Sequence, residues 1–429
     1  MKILLLTQGS RGDVQPFVAL GKGLQAAGHT VTLCTVARFE RFVTEHGLHY
    51  AYMNDEIISI LDTPEGSRLI EQVGRGGLAT WLRTIAKTVS KMRPLYRQML
   101  DEAWNAAYEA DAIVYHLRIM GGYDIAERLG IPAFMGAPLP LYVPTAAFPS
   151  VIFPRLPLGG WYNRLTHRLT ILLGKVSLHS ITSQWRQETL GLAKRSLFAD
   201  DMVRTNGQPV PVLLSISPHV LPPPSDWPDH FVETGYWFLD AHNDWQPPTD
   251  LIAFLNAGPP PIYIGFGSMP SPNPQEKGQL ILEALRRTGQ RAIVAQGWGG
   301  FRVNTLPESV FGIESVPHSW LFPNVSAVVH HGGAGTTAAG LRAGKPAVIC
   351  PFFGDQPFWG RRVYELGVGP QPIPQQKLTA DRLALAMKQA TTDAAMQQRA
   401  SRLGEQIRAE NGIRRAVAYI EQHVRREVV

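Results

Sequence analysis

Three short stretches carry residues whose types and spacing could do chemistry. The first is GSRGDVQP, residues 9–16, which follows the apolar run Ile3–Leu6. A strand running into a glycine-bearing turn and a helix is where a dinucleotide-binding protein holds a pyrophosphate. That fingerprint needs G-x-G-x-x-G and an acidic residue ending the second strand. Here the glycines stand at 9 and 12, the second strand ends in Thr35, Val36 and Ala37, and Asp13 puts negative charge where phosphates would sit. A dinucleotide is therefore not expected at this turn. Asp13 is left as either the cap of a helix starting near Pro16 or a carboxylate placed for other chemistry.

The second stretch is VVHHGGAGTT, residues 328–337, in which an apolar strand feeds three glycines and then a helix. Glycines let a backbone approach a phosphate, and a helix N-terminus supplies free N–H donors and a positive dipole. His331 is positioned to add a hydrogen bond or a charge. The pattern lacks the lysine of a Walker loop, and a tight strand-to-helix turn that uses glycine for packing alone would read the same way. The third stretch is PFFGDQPFWG, residues 351–360. Asp355 and Gln356 offer donors and acceptors suited to a polyhydroxylated ligand, or else form a plain turn before a helix at Pro357.

The elements that must hold these residues alternate as strand, turn and helix. HTVTLCTVARF gives a strand over 30–36, AIVYH (112–116) and IPAFMGAP (131–138) read as buried parallel strands, and GGYDIAERLG between them reads as a helix. From Thr80 to Tyr108 the period is helical, with Leu82, Ile85, Val89 and Met92 on one face. Residues 219–251 are rich in proline and are expected to lack regular structure. The alternation restarts at PIYIGFGSM (261–269) and continues through RAIVAQGW, FGIESVP, SAVVHHGG and KPAVIC. Two α/β domains follow, at 1–238 and 259–429, with a linker at 239–258 and a last helix free to cross back to the first domain.

Length and composition agree with this. A chain of 429 residues with 45% hydrophobic and 18% charged residues can bury two cores and is not a disordered one. Cys34 and Cys350 lie in separate apolar runs and read as buried thiols of a reducing compartment rather than a disulfide framework. The N-terminal apolar run is too short for a signal peptide, and no window approaches ~18 uninterrupted apolar residues, which predicts a soluble protein of the cytoplasm. The net charge is +6, concentrated in residues 66–98, where Arg68, Arg75, Arg83, Lys87, Lys91, Arg93 and Arg97 face Glu71 alone. No recognition motif or basic tail supports nucleic acid as the partner. Arg83, Lys87 and Lys91 share a helical face that could rest on an anionic membrane or simply be solvated.

The segment VPHSWLFPNVSAVVHHGGAGTTAAGLRAGKPAVICPFFGDQPFWGRRV resembles the donor-binding signature of the nucleotide-sugar glycosyltransferases. These adopt the GT-B fold, two Rossmann-like domains facing across a cleft. The N-terminal GSRGDVQPFVALGKGL, with SQWRQETLGL (183–192), is similar to the sterol 3β-glucosyltransferase branch of the UDP-glycosyltransferase family. The resemblance implies an inverting, metal-independent hexosyltransferase with no cofactor beyond a UDP-sugar co-substrate, UDP-glucose being the expected donor. It implies a sterol-like or other lipophilic acceptor, with residues 138–162 walling its pocket. It also implies that His331 contacts a phosphate, with Gly333, Gly335 and Thr336 completing the cradle and Gly267 and Ser268 near the diphosphate. Asp355 and Gln356 inherit contacts to the sugar hydroxyls, and Val316 and His318 the uracil. Plant relatives stack a tryptophan where this sequence has Glu314 or Ser315, so Trp298 is the substitute candidate.

Glycosyl transfer needs a base for the acceptor hydroxyl, and Asp13 is placed for it. An apolar surrounding is expected to raise its pKa and its basicity. His116, at another strand end, either orients Asp13 or is a satisfied core histidine. Glycosylation of aromatic or polyketide acceptors, nucleotide-sugar hydrolysis or epimerisation on the same fold, and non-catalytic binding are the alternatives.

Overall fold

The computed structural model describes residues 1–61, 78–197, 199, 203–204, 206–241, 245–267, 273–296 and 306–427, with the side chains of the helix Leu78–Ala106 described from Met92 onward. Ser268, Trp298, Arg68 and Arg75, and the side chains of Arg83, Lys87 and Lys91, lie outside the described residues. The chain forms two compact units, Met1–Leu239 with Asn411–Val429, and Asp240–Glu410.

In the first unit the strands are β1 Lys2–Leu6, β2 Thr30–Val36, β3 His49–Met53, β4 Ala112–His116, β5 Ala133–Ala137, β6 Val212–Leu214 and β7 Phe231–Glu233. They form one sheet in the order β3-β2-β1-β4-β5-β6-β7, parallel throughout. β1 is buried from Ile3 to Leu6 because side chains alternate between two covered faces. Leu4 and Leu6 join Tyr96, Leu100 and Trp185 on one face, whereas Ile3 and Leu5 join Phe17, Leu20 and Ile420 on the other. Ile420 belongs to the last helix, Gly412–Glu427, which packs on the helix Arg11–Ala26 and pairs Glu421 with His29 at 3.0 Å. β7 lies within the proline-rich stretch 219–251, so that stretch is not wholly irregular. Three backbone pairs with β6 suffice to make it an edge strand.

The second unit holds β8 Ile262–Gly265, β9 Ala292–Ala295, β10 Val310–Ile313, β11 Ala327–His330 and β12 Ala347–Ile349, in the order β10-β9-β8-β11-β12 and again all parallel. The helix Thr249–Asn256 precedes β8. Cys34 and Cys350 are both free and buried, and burial pushes each thiol up to about 12, so both are inert core residues.

In each sheet the chain builds outward in one direction and then returns to build in the other. The reversal falls between β1 and β4 in the first sheet and between β8 and β11 in the second. Where the strand order reverses, neighbouring loops diverge and leave a crevice at the carboxyl ends of the strands.

Candidate functional site

The residues singled out above sit at these two reversals. In the first unit, Asp13 follows β1 and His116 ends β4. The helix that carries Asp13 begins at Arg11, five residues before Pro16, because Ser10 and Asp13 form a capping box. Ser10 N donates to Asp13 Oδ2 at 2.8 Å and Ser10 Oγ to the same oxygen at 3.0 Å. Asp13 therefore does cap the helix, but with one oxygen only. The other oxygen, Oδ1, faces His116 Nε2 at 3.6 Å and Arg118 Nε at 3.7 Å. Gly9 makes this arrangement possible, since its φ of +130° suits glycine and a methyl group there would come within 2.4 Å of Oδ2.

The electrostatics differ from expectation. Burial pushes the Asp13 carboxyl up, but Arg118, then His116, then the two Ser10 donors outweigh it, and its pKa is lowered below the usual carboxylate value. Asp13 is thus an ionised acceptor at neutral pH rather than a carboxyl made more basic by apolar surroundings. His116 is fully buried, and burial lowers its pKa to about 4, with Asp13 opposing and Arg118 assisting. It is neutral at neutral pH. Arg118 N donates to its Nδ1 at 3.3 Å, which leaves the proton on Nε2, the nitrogen turned toward Asp13. Nε2 has no hydrogen-bond partner among the described residues. Phe17 meets the imidazole edge-on at 5.6 Å and fixes its plane, while Gln8 Nε2 donates to Arg118 O at 3.3 Å and ties the two loops together.

In the second unit, β11 delivers His330 and His331 to the glycine loop, and the helix Ala334–Arg342 begins at once, with Gly333 as its N-cap. His330 faces inward, where its Nδ1 accepts from Gly332 N at 3.0 Å, so it serves the turn. His331 is the outward member. A methyl on Gly333 would come within 2.4 Å of its Nε2, and one on Gly267 within 3.1 Å of its Cε1, so the imidazole packs closely against two glycines and a side chain at either would press on it. Its Nδ1 is buried without a hydrogen-bond partner among the described residues. Burial lowers its pKa to about 4, so at neutral pH it offers a hydrogen bond and no charge. Thr337 Oγ1 is used by Gly333 O at 2.9 Å, while Gly335 and Thr336 stand on the first turn, Gly335 exposed and Thr336 half-buried.

The third stretch joins this loop. Gly332, at φ +90°, backs on Ile349 and on the backbone of Gln356, where a methyl would lie within 3.1 Å of Gln356 O. Asp355 stands at the N-cap position of the helix Gln356–Glu365, and its Oδ2 accepts from Trp359 Nε1 at 2.9 Å. Gln356 is buried and its Oε1 accepts from Phe352 N at 2.8 Å, so its carbonyl end already holds the turn. Val316 is buried, and His318 stacks on Phe322 at 4.3 Å and meets Tyr263 edge-on at 5.7 Å. The structure thus brings together Gly267, His331, Gly333, Asp355 and Gln356, and holds the His318 ring against its own core.

The sequence has known counterparts. Residues 3–148 match the family described as Glycosyltransferase family 28 N-terminal domain, and residues 280–419 the Erythromycin biosynthesis protein CIII-like, C-terminal domain. A sterol 3-beta-glucosyltransferase of Emericella nidulans is 39% identical over 98% of this chain and 30% of its own length. One of Saccharomyces cerevisiae is 38% identical over 98% of this chain and 35% of its own length. This chain therefore spans about a third of the curated relatives it matches. Among solved structures, the glycotransferase of kitacinnamycin superposes with TM-score 0.71 at 20% identity, covering 99% of both chains. The calicheamicin glycosyltransferase CalG4 superposes with TM-score 0.67 at 17% identity, covering 99% of this chain and 98% of that one. Two family models thus account for the N-terminal and C-terminal parts of this chain, its sequence is similar to the sterol 3-beta-glucosyltransferases, and its fold is that of the GT-B glycosyltransferases.

For a GT-B protein, the glycine loop and the Asp-Gln turn were the parts that the sequence displayed. Three features of the first centre were not. Ser10 lies inside the quoted stretch but was not read as the partner that immobilises half of Asp13. Arg118 and Gln8 matter only because the sheet order sets β4 beside β1. The available signal was position alone, since Arg118 stands two residues beyond a strand end.

Proposed function

We propose that this chain transfers a sugar, glucose, from a UDP-sugar to the hydroxyl of a sterol-like lipophilic acceptor, with inversion at the anomeric carbon. The observation that carries the reading is the half-engaged carboxylate of Asp13, with Oδ2 held by Ser10 and Oδ1 turned to two nitrogens that lie beyond hydrogen-bond distance. The acceptor oxygen attacks the anomeric carbon, its proton passes to Asp13 Oδ1, and the bond from that carbon to the UDP phosphate oxygen breaks. Arg118 keeps the carboxylate ionised before attack. The N–H groups at the start of the helix Ala334–Arg342 receive the leaving diphosphate, with His331 adding a neutral hydrogen bond and the glycines allowing the approach. Asp355 and Gln356 meet the sugar hydroxyls, and the backbone near Val316 and His318 meets the uracil. No metal has a part in this reading, and none of the steps requires a cofactor.

Support for the donor comes from the solved glycosyltransferase VinC, which was determined in complex with dTDP and superposes with TM-score 0.67 at 18% identity. Support for the acceptor comes from the names of the sterol 3-beta-glucosyltransferase relatives. No described helix is long and apolar enough to cross a membrane; a peripheral contact and a cytoplasmic location belong to the proposal. Incubation with UDP-glucose, other UDP-sugars and a panel of sterols and aromatic alcohols, read by mass spectrometry, tests it. A steryl glucoside is expected. Release of UDP and free sugar alone would favour a hydrolase, and a glucoside of only aromatic alcohols would replace the acceptor class.

A further inference from the structure

The helix Gly159–Glu188 buries Ile181 and Trp185 near its C-terminal end, but from Gly159 to Val176 it is built inside out. Its packed side carries Asn163, Thr166, His167, Thr170 and Lys175, all buried. These residues are held by a hydrogen-bonded seam to neighbouring loops. Asn163 Nδ2 donates to Ala146 O at 2.7 Å, Thr166 Oγ1 accepts from Ser150 N at 2.9 Å, and Thr170 Oγ1 donates to Ser150 Oγ at 2.8 Å. His167 Nε2 bonds Phe148 O at 3.1 Å, and Lys175 Nζ donates to Ala199 O.

A helix on a globular protein ordinarily buries its apolar stripe. Here the stripe faces outward. Trp161, Leu165, Leu169, Leu172, Leu173 and Val176 recur at helical spacing and are exposed, Trp161 at 64% and Val176 at 61%. Ile152, Leu156 and Leu158, also exposed, extend it into the preceding loop. From Trp161 to Val176 the stripe runs about 22 Å at the rise of an α-helix. An uncovered apolar surface of this length marks a contact.

Charge identifies the partner. Between Val151 and Gln187 the sequence holds no acidic residue; of its basic residues Lys175 and Arg186 are buried, whereas Arg155, Arg164 and Arg168 are exposed, Arg164 paired with Asp226 at 3.0 Å. Arg164 and Arg168 are exposed among the leucines. An apolar stripe interleaved with arginines and ended by a tryptophan suits the boundary between phosphate headgroups and acyl chains. The geometry points to the 152–176 face as the surface on which this chain rests on an anionic lipid bilayer, with Trp161 and the leucines in the acyl boundary and Arg155, Arg164 and Arg168 at the level of the phosphates. The inference does not depend on the transferase reading.

Co-sedimentation with vesicles of phosphatidylcholine mixed with phosphatidylserine, beside phosphatidylcholine alone, tests it. The parent should bind the mixed vesicles about tenfold or more above the neutral ones. The pair Leu169→Gln and Leu172→Gln should lower that binding about tenfold with an unchanged melting temperature, because both positions are exposed. Arg168→Gln should give a smaller loss and a flatter salt dependence. Absence of binding to mixed vesicles would overturn the inference, as would equal binding by parent and double variant. A soluble dimer that the same pair dissociates, without vesicle binding, would assign the face to a second copy instead.

Discussion

The two centres lie at equivalent points of two similar sheets and are built by opposite means. At the β1/β4 reversal the chemistry is in side chains, with a buried carboxylate that meets a cation and a neutral imidazole, each within 4 Å of it. At the β8/β11 reversal it is in the backbone, with glycines, a helix N-terminus and an imidazole that burial keeps uncharged. The first centre can hold or move a proton. The second can receive an anion without paying to desolvate a lysine or arginine. One layout thus supports two tasks, and the division predicts that substitutions in the two units will disturb different measurements.

The largest effect is expected at Asp13. Asp13→Asn keeps the shape and a capping oxygen but removes the proton acceptor, so turnover should fall by about 10²–10⁴ while UDP affinity measured by calorimetry stays unchanged. Turnover within a few-fold of the parent would reduce Asp13 to a helix cap and erase the comparison. His331→Ala should do the reverse, weakening UDP by about tenfold, the worth of one hydrogen bond to a charged group, with a far smaller change in turnover at saturating donor. Equal UDP affinity in parent and variant would remove His331 from the donor cradle.

How much of this was legible in the sequence depended on which means was used. A cradle made of backbone needs glycines close together along the chain, so Gly332, Gly333 and Gly335 announced it, and the strand ends Val36 and His116 were located to the residue. A centre made of side chains is assembled across the sheet. Arg118 is 105 positions from Asp13 in the sequence, and only the pairing of Ile3 with Ala112 through Leu6 with Tyr115 makes them neighbours. The expected rise in the Asp13 pKa failed for that reason, since burial was visible in the sequence and the cation opposing it was not. The helix Gly159–Glu188 is not legible in the sequence, because the pocket wall expected at 138–162 reaches only its first turn and the polar residues that pack it give no core signal.

Two smaller effects sharpen the contrast. Arg118→Gln should raise the Asp13 pKa, because the guanidinium is the largest of the influences that lower it. The acid limb of kcat/KM, expected below the usual carboxylate value in the parent, should then move to higher pH with UDP affinity unaltered. An unmoved limb would show that Arg118 does not act on the base. Gly332→Ala should cost about 1–3 kcal/mol of stability, read as a lower Tm, since it forces a side chain into a left-handed backbone conformation against Ile349 and Gln356. A full-strength Tm with intact UDP binding would mean that the loop tolerates a side chain where the structure shows none fits.

The claim on which the account rests is that Asp13 takes a proton and does not itself attack the sugar. The anomeric configuration of the first-formed glucoside, read by NMR during turnover of UDP-glucose with a sterol, tests this most directly. Attack by an acceptor oxygen that Asp13 deprotonates is a single displacement, so the α-linked donor should give a β-linked product. An α-linked product would mean net retention, whether by two displacements or by attack from the face the UDP leaves, and would contradict the assignment of Asp13 as the base of a single inverting displacement.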